Sequence, residues 1–218
     1  MNWKLIRLFC AIMCAMSQAP AFAVVDLSHG KAALVNGAVI TGEDYQNELQ
    51  RVERLRGADK KSPGPAESAR NGKEALESLI ARELLYQEAG KRGIRVPEKV
   101  VNGEVDKLKK QFPGEGEFNT TLGKMGLSEP AVRKQIERGM AVQQFIDDEF
   151  TKKVRVSEDE IDSYYEGHRD NLKEPLASAR EKIRQILKRE EASRKLTSYL
   201  KRLREQAVVE ILLEENGE

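Results

Sequence analysis

Residues 31–41 read KAALVNGAVIT, and this stretch decides how the two ends of the chain are arranged. Two short apolar runs flank Asn36-Gly37, the dipeptide that best tolerates the positive φ angles of a type I′ turn. The pattern predicts a β-hairpin. Residues 208–213, VVEILL, give the other β signal, at the far end of an otherwise helical pattern. Because a lone strand cannot satisfy its own backbone groups, we predict that it pairs with the hairpin.

Between these ends the sequence predicts a mainly α-helical fold. Apolar residues recur at helical spacing, and Thr41 and Ser157 each precede an acidic residue by three positions, as helix N-caps do. Residues 57–73 are rich in Gly, Pro, Lys and Ser and predict an exposed loop, with a long helix beginning at Glu74. We expect residues 24–175 to form a helical core with the hairpin, and residues 176–218 to complete the same domain with a helix and a strand.

The first 23 residues, MNWKLIRLFCAIMCAMSQAPAFA, are typical of a signal peptide. Lys4 and Arg7 form a positive start, and the apolar run after them is too short to span a bilayer. Residues 21–23 form a small-x-small cleavage pattern. A retained anchor is the alternative. We predict export to the periplasm, cleavage before Val24, and no stable membrane insertion afterwards.

Composition disfavours several classes of partner and chemistry. Charged residues make up 33% of the chain, yet the formal net charge is only +1, and it becomes −1 when Lys4 and Arg7 leave with the signal. Such a balance does not favour nucleic acid as a partner. Cys10 and Cys14 both lie within the predicted signal, so we expect neither a disulfide nor thiolate chemistry in the remainder.

The sequence shows no recognisable catalytic or cofactor pattern. His29 and His168 have no His or Cys at metal-ligand spacing. Nucleophile elbows, phosphate-binding loops and dinucleotide fingerprints are missing from the sequence. The acidic runs at 147–149 and 158–160 diverge around a helix and do not converge on a reacting atom. We therefore predict no catalytic residue, no metal and no cofactor.

Apolar residues in a glycine-punctuated region and in the helix after it have two interpretations. They close a compact helical core, or they line an open groove where flexible Met and aromatic side chains adapt to apolar segments. Both interpretations require the same residue types, so sequence leaves them open. The candidate groove residues are Phe118, Leu122, Met125, Leu127, Met140 and Phe145.

Four stretches carry a resemblance in the same order along the chain. They are VNGAVIT at 35–41, LESLIARELLYQEA at 76–89 with GIRV at 93–96, VSEDEI at 156–161 with Tyr164-Tyr165, and YLKRLREQAVVEI at 199–211. Together they resemble the SurA family of periplasmic chaperones and, more loosely, the substrate-cradling domain of trigger factor. The resemblance implies a helical chaperone domain whose clients are unfolded outer-membrane or secreted proteins.

One departure from that family changes the expected activity. In the family, parvulin-type prolyl isomerase domains usually separate the Tyr-Tyr helix from the closing helix. Here the last helix follows Pro175 almost at once, and no His-Ile-Leu strand typical of parvulins occurs. We therefore predict an ATP-independent holdase that binds clients through an apolar groove and is not an enzyme. The alternatives are an accessory interaction protein of the cell envelope that belongs to the isomerase family, and an active isomerase.

Overall fold

The computed structural model describes residues 30–56, 64–172 and 174–213. Their elements, in chain order, are β1 (Lys31–Val35), β2 (Ala38–Thr41), α1 (Gly42–Leu55), α2 (Pro65–Lys91), α3 (Glu98–Lys109), α4 (Glu115–Lys124), α5 (Glu129–Ile146), a π-helical turn (Asp147–Thr151), α6 (Glu158–Leu172), α7 (Leu176–Gln206) and β3 (Val209–Ile211). The predicted mainly α fold with a small sheet is confirmed. The predicted signal peptide, residues 1–23, lies outside the described residues.

The sheet joins the two ends of the chain, as predicted. Its strand order is β2-β1-β3, and both pairings are antiparallel. Asn36 and Gly37 have φ values of 51° and 83°, the positive angles that a two-residue hairpin turn requires. The side-chain Nδ2 of Asn36 donates to Gln87 Oε1 at 2.8 Å, and its Oδ1 accepts a hydrogen bond from the backbone N–H of Val208 at 2.9 Å. This turn residue therefore fastens β1 to both α2 and the chain segment that enters β3.

Local side-chain chemistry sets several helix ends. The hydroxyls of Thr41, Ser128 and Ser157 each accept a hydrogen bond from a backbone amide three residues later, at 3.1, 3.3 and 3.2 Å. At the other ends, Gly93 and Gly126 follow α2 and α4 with φ values of 71° and 70°, and the next amide bonds back into the helix. A left-handed residue of this kind commonly ends helices in proteins.

The predicted loop at 57–73 is wrong over much of its length, because α2 already begins at Pro65. Proline suits the first helical position, where its missing N–H is not needed and its fixed φ is already helical. Asn71 in this added part is fully buried, and its Oδ1 accepts a 2.9 Å hydrogen bond from Arg56 at the end of α1. Packing against α1 thus stabilises helical turns whose composition alone favours a loop.

Buried hydrophobic residues of the described segments form four clusters, each named here by its position. The central cluster includes Leu85, Phe145, Phe150 and Ala192, and the sheet cluster includes Val35, Ile40, Ile80 and Leu84. The head cluster includes Leu108, Phe118, Leu122 and Val132. The arm cluster includes Ile161, Tyr165, Ala179 and Ile183. Helix α5 runs from the head cluster to the central cluster, and α7 runs from the arm cluster to the sheet cluster. Long helices therefore connect these small cores to one another.

A buried carboxylate locks α1 onto α2. Glu48 on α1 is 5% exposed, and it accepts hydrogen bonds from Arg51 Nε at 2.9 Å and Ser78 Oγ at 2.7 Å. Arg82 on α2 completes the site with an ion pair of 2.9 Å. Burial alone would raise the pKa of Glu48, but the hydrogen bonds from these partners outweigh it and lower the pKa to about 2. Folding therefore stabilises the ionised form of this carboxylate.

This depressed pKa predicts a specific acid sensitivity. Stability from Glu48 is fully present above its ordinary pKa of 4.5 and is lost as the pH falls towards about 2. The shift corresponds to about 3 kcal/mol. Urea denaturation between pH 6 and pH 3 should show wild type losing more stability than Glu48→Gln, which cannot titrate there. Equal losses for the two proteins would show that ionisation of Glu48 does not stabilise the folded state.

Candidate binding surface

The structure places the six candidate groove residues in different surroundings. Phe118 and Leu122 are buried in the head cluster, where Phe118 packs edge-on against Phe112 with ring centroids 5.2 Å apart. Phe145 is fully buried in the central cluster. These three side chains occupy two separate cores and do not line one common accessible groove, which is the compact-core arrangement that the sequence left open.

The other three candidates keep access to solvent. Leu127 is half-buried and packs against the head cluster from outside, whereas Met125 and Met140 are half-buried at the end of α4 and on α5. Exposed area on flexible apolar side chains suits contact with varied partners. Client contact through Met125, Leu127 and Met140 stays a prediction.

Sequence reasoning missed a cleft of about 320 Å³ where α2, α7 and the hairpin turn meet. We call it the junction cleft, and it is lined by Asn36, Leu84, Gln87, Glu88, Lys91, Tyr199, Arg202, Leu203, Gln206 and Ala207. Its lining comes from three parts of the chain that lie far apart in sequence. The sequence shows the spacing of residues within each helix, but it does not show which helices lie next to each other. It therefore gives no sign that these three parts form a cleft.

The junction cleft combines apolar and charged side chains. Leu84 is buried in the sheet cluster, and Leu203 is half-buried against the same cluster, so Leu203 supplies accessible apolar surface. Lys91 and Arg202 are exposed. The Arg202 guanidinium lies 5.7 Å from the ring centre of Tyr199, within the range of a cation–π contact. Such a site suits a segment that has an apolar side chain next to a polar or acidic group.

Tyr199 and Glu88 are two titratable residues of the cleft whose side chains are hydrogen-bonded to each other. The Tyr199 hydroxyl donates to Glu88 Oε2 at 2.6 Å, and the Lys91 ammonium lies 2.7 Å from Glu88 Oε1. Burial, together with the neighbouring Glu88 carboxylate, raises the pKa of Tyr199 to about 12. Burial opposes ionisation of Glu88 as well, but hydrogen bonds from Lys91 and Tyr199 lower its pKa. The Tyr199 phenol therefore stays protonated at neutral pH, and its hydrogen bond to Glu88 links α7 to α2.

A buried polar network supports the wall of the cleft. The Gln87 side-chain amide donates to the Val35 carbonyl at 3.0 Å and to Glu83 Oε1 at 2.9 Å. Glu83 also forms an ion pair with Arg138 of α5, and the Arg138 guanidinium stacks 4.1 Å above the ring of Tyr86. The network links β1, α2 and α5, so it fixes the sheet and the helices relative to each other.

Neither a metal site nor a membrane-spanning helix emerges from the part of the chain that the structure describes. There, no group of three or more His, Cys, Asp or Glu is placed to hold a metal ion. The helices of the same residues also fall short of the length and apolar character that crossing a bilayer demands.

Comparison with known proteins identifies similar chains. The sequence model of the SurA-like N-terminal domain family matches residues 2–146. Chaperone SurA of Chromobacterium violaceum is 29% identical over 159 residues, which cover 72% of this chain and 36% of that protein. Foldase protein PrsA of Caldanaerobacter subterraneus is 30% identical over 149 residues, which cover 64% of this chain and 43% of that protein. The alignments thus span less than half the length of these relatives.

Proposed function

This chain belongs to the SurA-like N-terminal domain family, and we propose that it acts as a holdase, a chaperone that binds unfolded polypeptides without catalysis or ATP. The observation that carries the proposal is the family match over residues 2–146, together with matched relatives named as chaperones and a foldase. The signal-like residues 1–23 support a periplasmic location. In that compartment the clients would be unfolded outer-membrane or secreted proteins.

The energetics of such binding follow from the size of its surfaces. Burial of apolar surface contributes about 25 cal/mol per Å², so some 300 Å² of client contact contributes roughly 7 kcal/mol before ordering costs. After those costs each contact should be weak, on the order of micromolar. Several weak contacts on one scaffold hold a chain through their combined effect and still allow its release.

Two regions of the scaffold supply these contacts in our proposal. One is the junction cleft, with accessible apolar surface from the half-buried Leu203. The other is a set of half-buried apolar residues, Met125 and Leu127 in the link between α4 and α5 and Met140 on α5. Neither region needs a fold rearrangement to reach a client, because both already have solvent-exposed area.

Changing Met125→Glu together with Met140→Glu should weaken client protection several-fold, since charged side chains oppose apolar contact. The measurement is light scattering when a urea-denatured outer-membrane β-barrel protein is diluted into buffer with each variant. The matched control, Met125→Leu with Met140→Leu, should protect as well as wild type. Unchanged protection by the Glu variant, with circular dichroism intact, would remove both methionines from the client surface.

The enzymatic alternative has its own test. A proline-containing peptide assay on the purified protein should give the uncatalysed rate of cis–trans isomerisation, because the sequence carries no His-Ile-Leu strand typical of parvulins. Isomerisation that rises in proportion to protein concentration would replace the non-catalytic proposal with that of an isomerase.

A further inference from the structure

The exposed edge of the sheet carries an unusual concentration of apolar surface. Val208, Ile211 and Leu212 are 66%, 53% and 43% exposed, and they lie within five residues around β3. Val39 on β2 is also exposed, and its partner Leu34 stands opposite both Val39 and Glu210. Within the described residues β3 ends the sheet on its side, because its strand partner is β1 alone.

Hydrogen bonds show which backbone groups of β3 are already used. The Val208 carbonyl accepts a hydrogen bond from the backbone N–H of Asn36 at 2.8 Å, and the backbone N–H of Leu212 donates to the Ala32 carbonyl at 2.9 Å. In an antiparallel pair, alternate residues direct their N–H and C=O groups to opposite sides of the strand. With Val209 opposite Val35, the backbone groups of Val209 and Ile211 therefore point away from β1, towards the open edge.

We propose that this edge binds an extended segment of a non-native polypeptide by strand addition. The inference rests on the proposed holdase function and specifies what the protein recognises, namely unpaired main chain in extended conformation. Only an extended chain presents N–H and C=O groups with the spacing that Val209 and Ile211 require. Apolar side chains of that segment would lie beside Val208, Ile211 and Leu212.

Size and charge argue for this occupant over a permanent partner. The surface that a strand of three residues can bury is far smaller than the roughly 800 Å² per partner that stable protein interfaces bury. A second copy of the chain would also bring another exposed Glu210 to the same edge. Residues 214–218, EENGE, add further acidic groups next to β3 in sequence. The preferred segment is therefore apolar with interspersed Lys or Arg.

Amide hydrogen exchange followed by NMR tests the backbone pairing. The probe is a ten-residue peptide in which valine alternates with lysine and threonine. We expect added protection of several-fold at the amides of Val209 and Ile211, and little change at Glu210 and Leu212, whose amides already face β1. The same peptide with glutamate in place of lysine should bind more weakly. Peptide binding without this alternation would overturn the proposal.

A variant at the edge tests the same contact by affinity. Ile211→Pro removes an N–H that β1 does not use, and edge strands tolerate proline at such positions. The matched control Ile211→Val keeps the N–H and the β-branched shape. The proline variant should lose about tenfold in peptide affinity while the valine variant stays within twofold of wild type. Should Ile211→Pro not fold, the exchange pattern of wild type decides.

Three further outcomes distinguish the edge site, the holdase function and self-association of the protein. Client protection that survives in Ile211→Pro with unchanged peptide binding would reject the edge site and leave the holdase function standing. No client protection by wild type would reject the holdase function itself. A concentration-dependent dimer in sedimentation that Ile211→Pro abolishes would assign the edge to self-association and overturn the strand-addition proposal.

Discussion

Replacing Phe145 by alanine is expected to lower the free energy of unfolding by about 3–5 kcal/mol. Phe145 is fully buried, and its ring centroid lies 6.0 Å from that of Phe150 and 6.0 Å from that of Tyr199. The three rings join α5, the π-helical turn and α7, so removing the Phe145 ring leaves a cavity where three elements meet. Urea denaturation followed by circular dichroism measures the loss.

The matched control for this prediction lies on the same helix. Met140→Ala removes an apolar side chain that is only half-buried, and its cost should stay below about 2 kcal/mol because part of the side chain is already in contact with solvent. Costs that are equal for the two variants, or a cost for Phe145→Ala below about 1 kcal/mol, would contradict the assignment of Phe145 to the core.

Removing the C-terminal strand should have an effect of similar size. Truncation after Ala207 deletes the partner of β1 and exposes Ala33 and Val35, which are fully buried in the intact protein. The remaining two-stranded hairpin is of marginal stability without that cover. Several ladder hydrogen bonds at about 1 kcal/mol each, with lost apolar burial, give an expected cost of about 3–5 kcal/mol.

Thermal unfolding checks the truncation. A loss of that size in a chain of this length should lower Tm by on the order of 10 °C. The control truncation after Leu213 keeps β3 and removes only residues 214–218, so its Tm should match wild type within about 2 °C. A Tm that does not change after removal of β3 would mean that closure of the chain ends contributes little to the fold.

Features that depend on local chemistry could be predicted from the sequence. Asn36-Gly37 dictates positive φ angles, and the hydroxyls of Thr41 and Ser157 cap helices whatever lies beyond them. The pairing of β3 with β1 was a long-range prediction, and it succeeded by elimination. A strand needs a partner for its backbone groups, and the hairpin was the other β signal in the sequence.

Features that depend on distant packing could not be predicted. The first turns of α2 are stabilised by the hydrogen bond between Asn71 and Arg56, and composition gives no sign of that contact. The π-helical turn that directs Phe150 into the central cluster likewise leaves no local mark. In the sequence, Phe118 and Met125 are both apolar residues near helical spacing. Only the packing of α3, α4 and α5 makes Phe118 buried and leaves Met125 half-buried.

We propose that this protein binds non-native chains without ATP. Fluorescence anisotropy of labelled, urea-denatured polypeptides, titrated with the purified protein in nucleotide-free buffer, tests it most directly. We expect saturable binding, with dissociation constants on the order of micromolar, to several unrelated unfolded polypeptides and no binding to their folded forms. Binding to a single folded partner, or no binding to any unfolded chain, would contradict it.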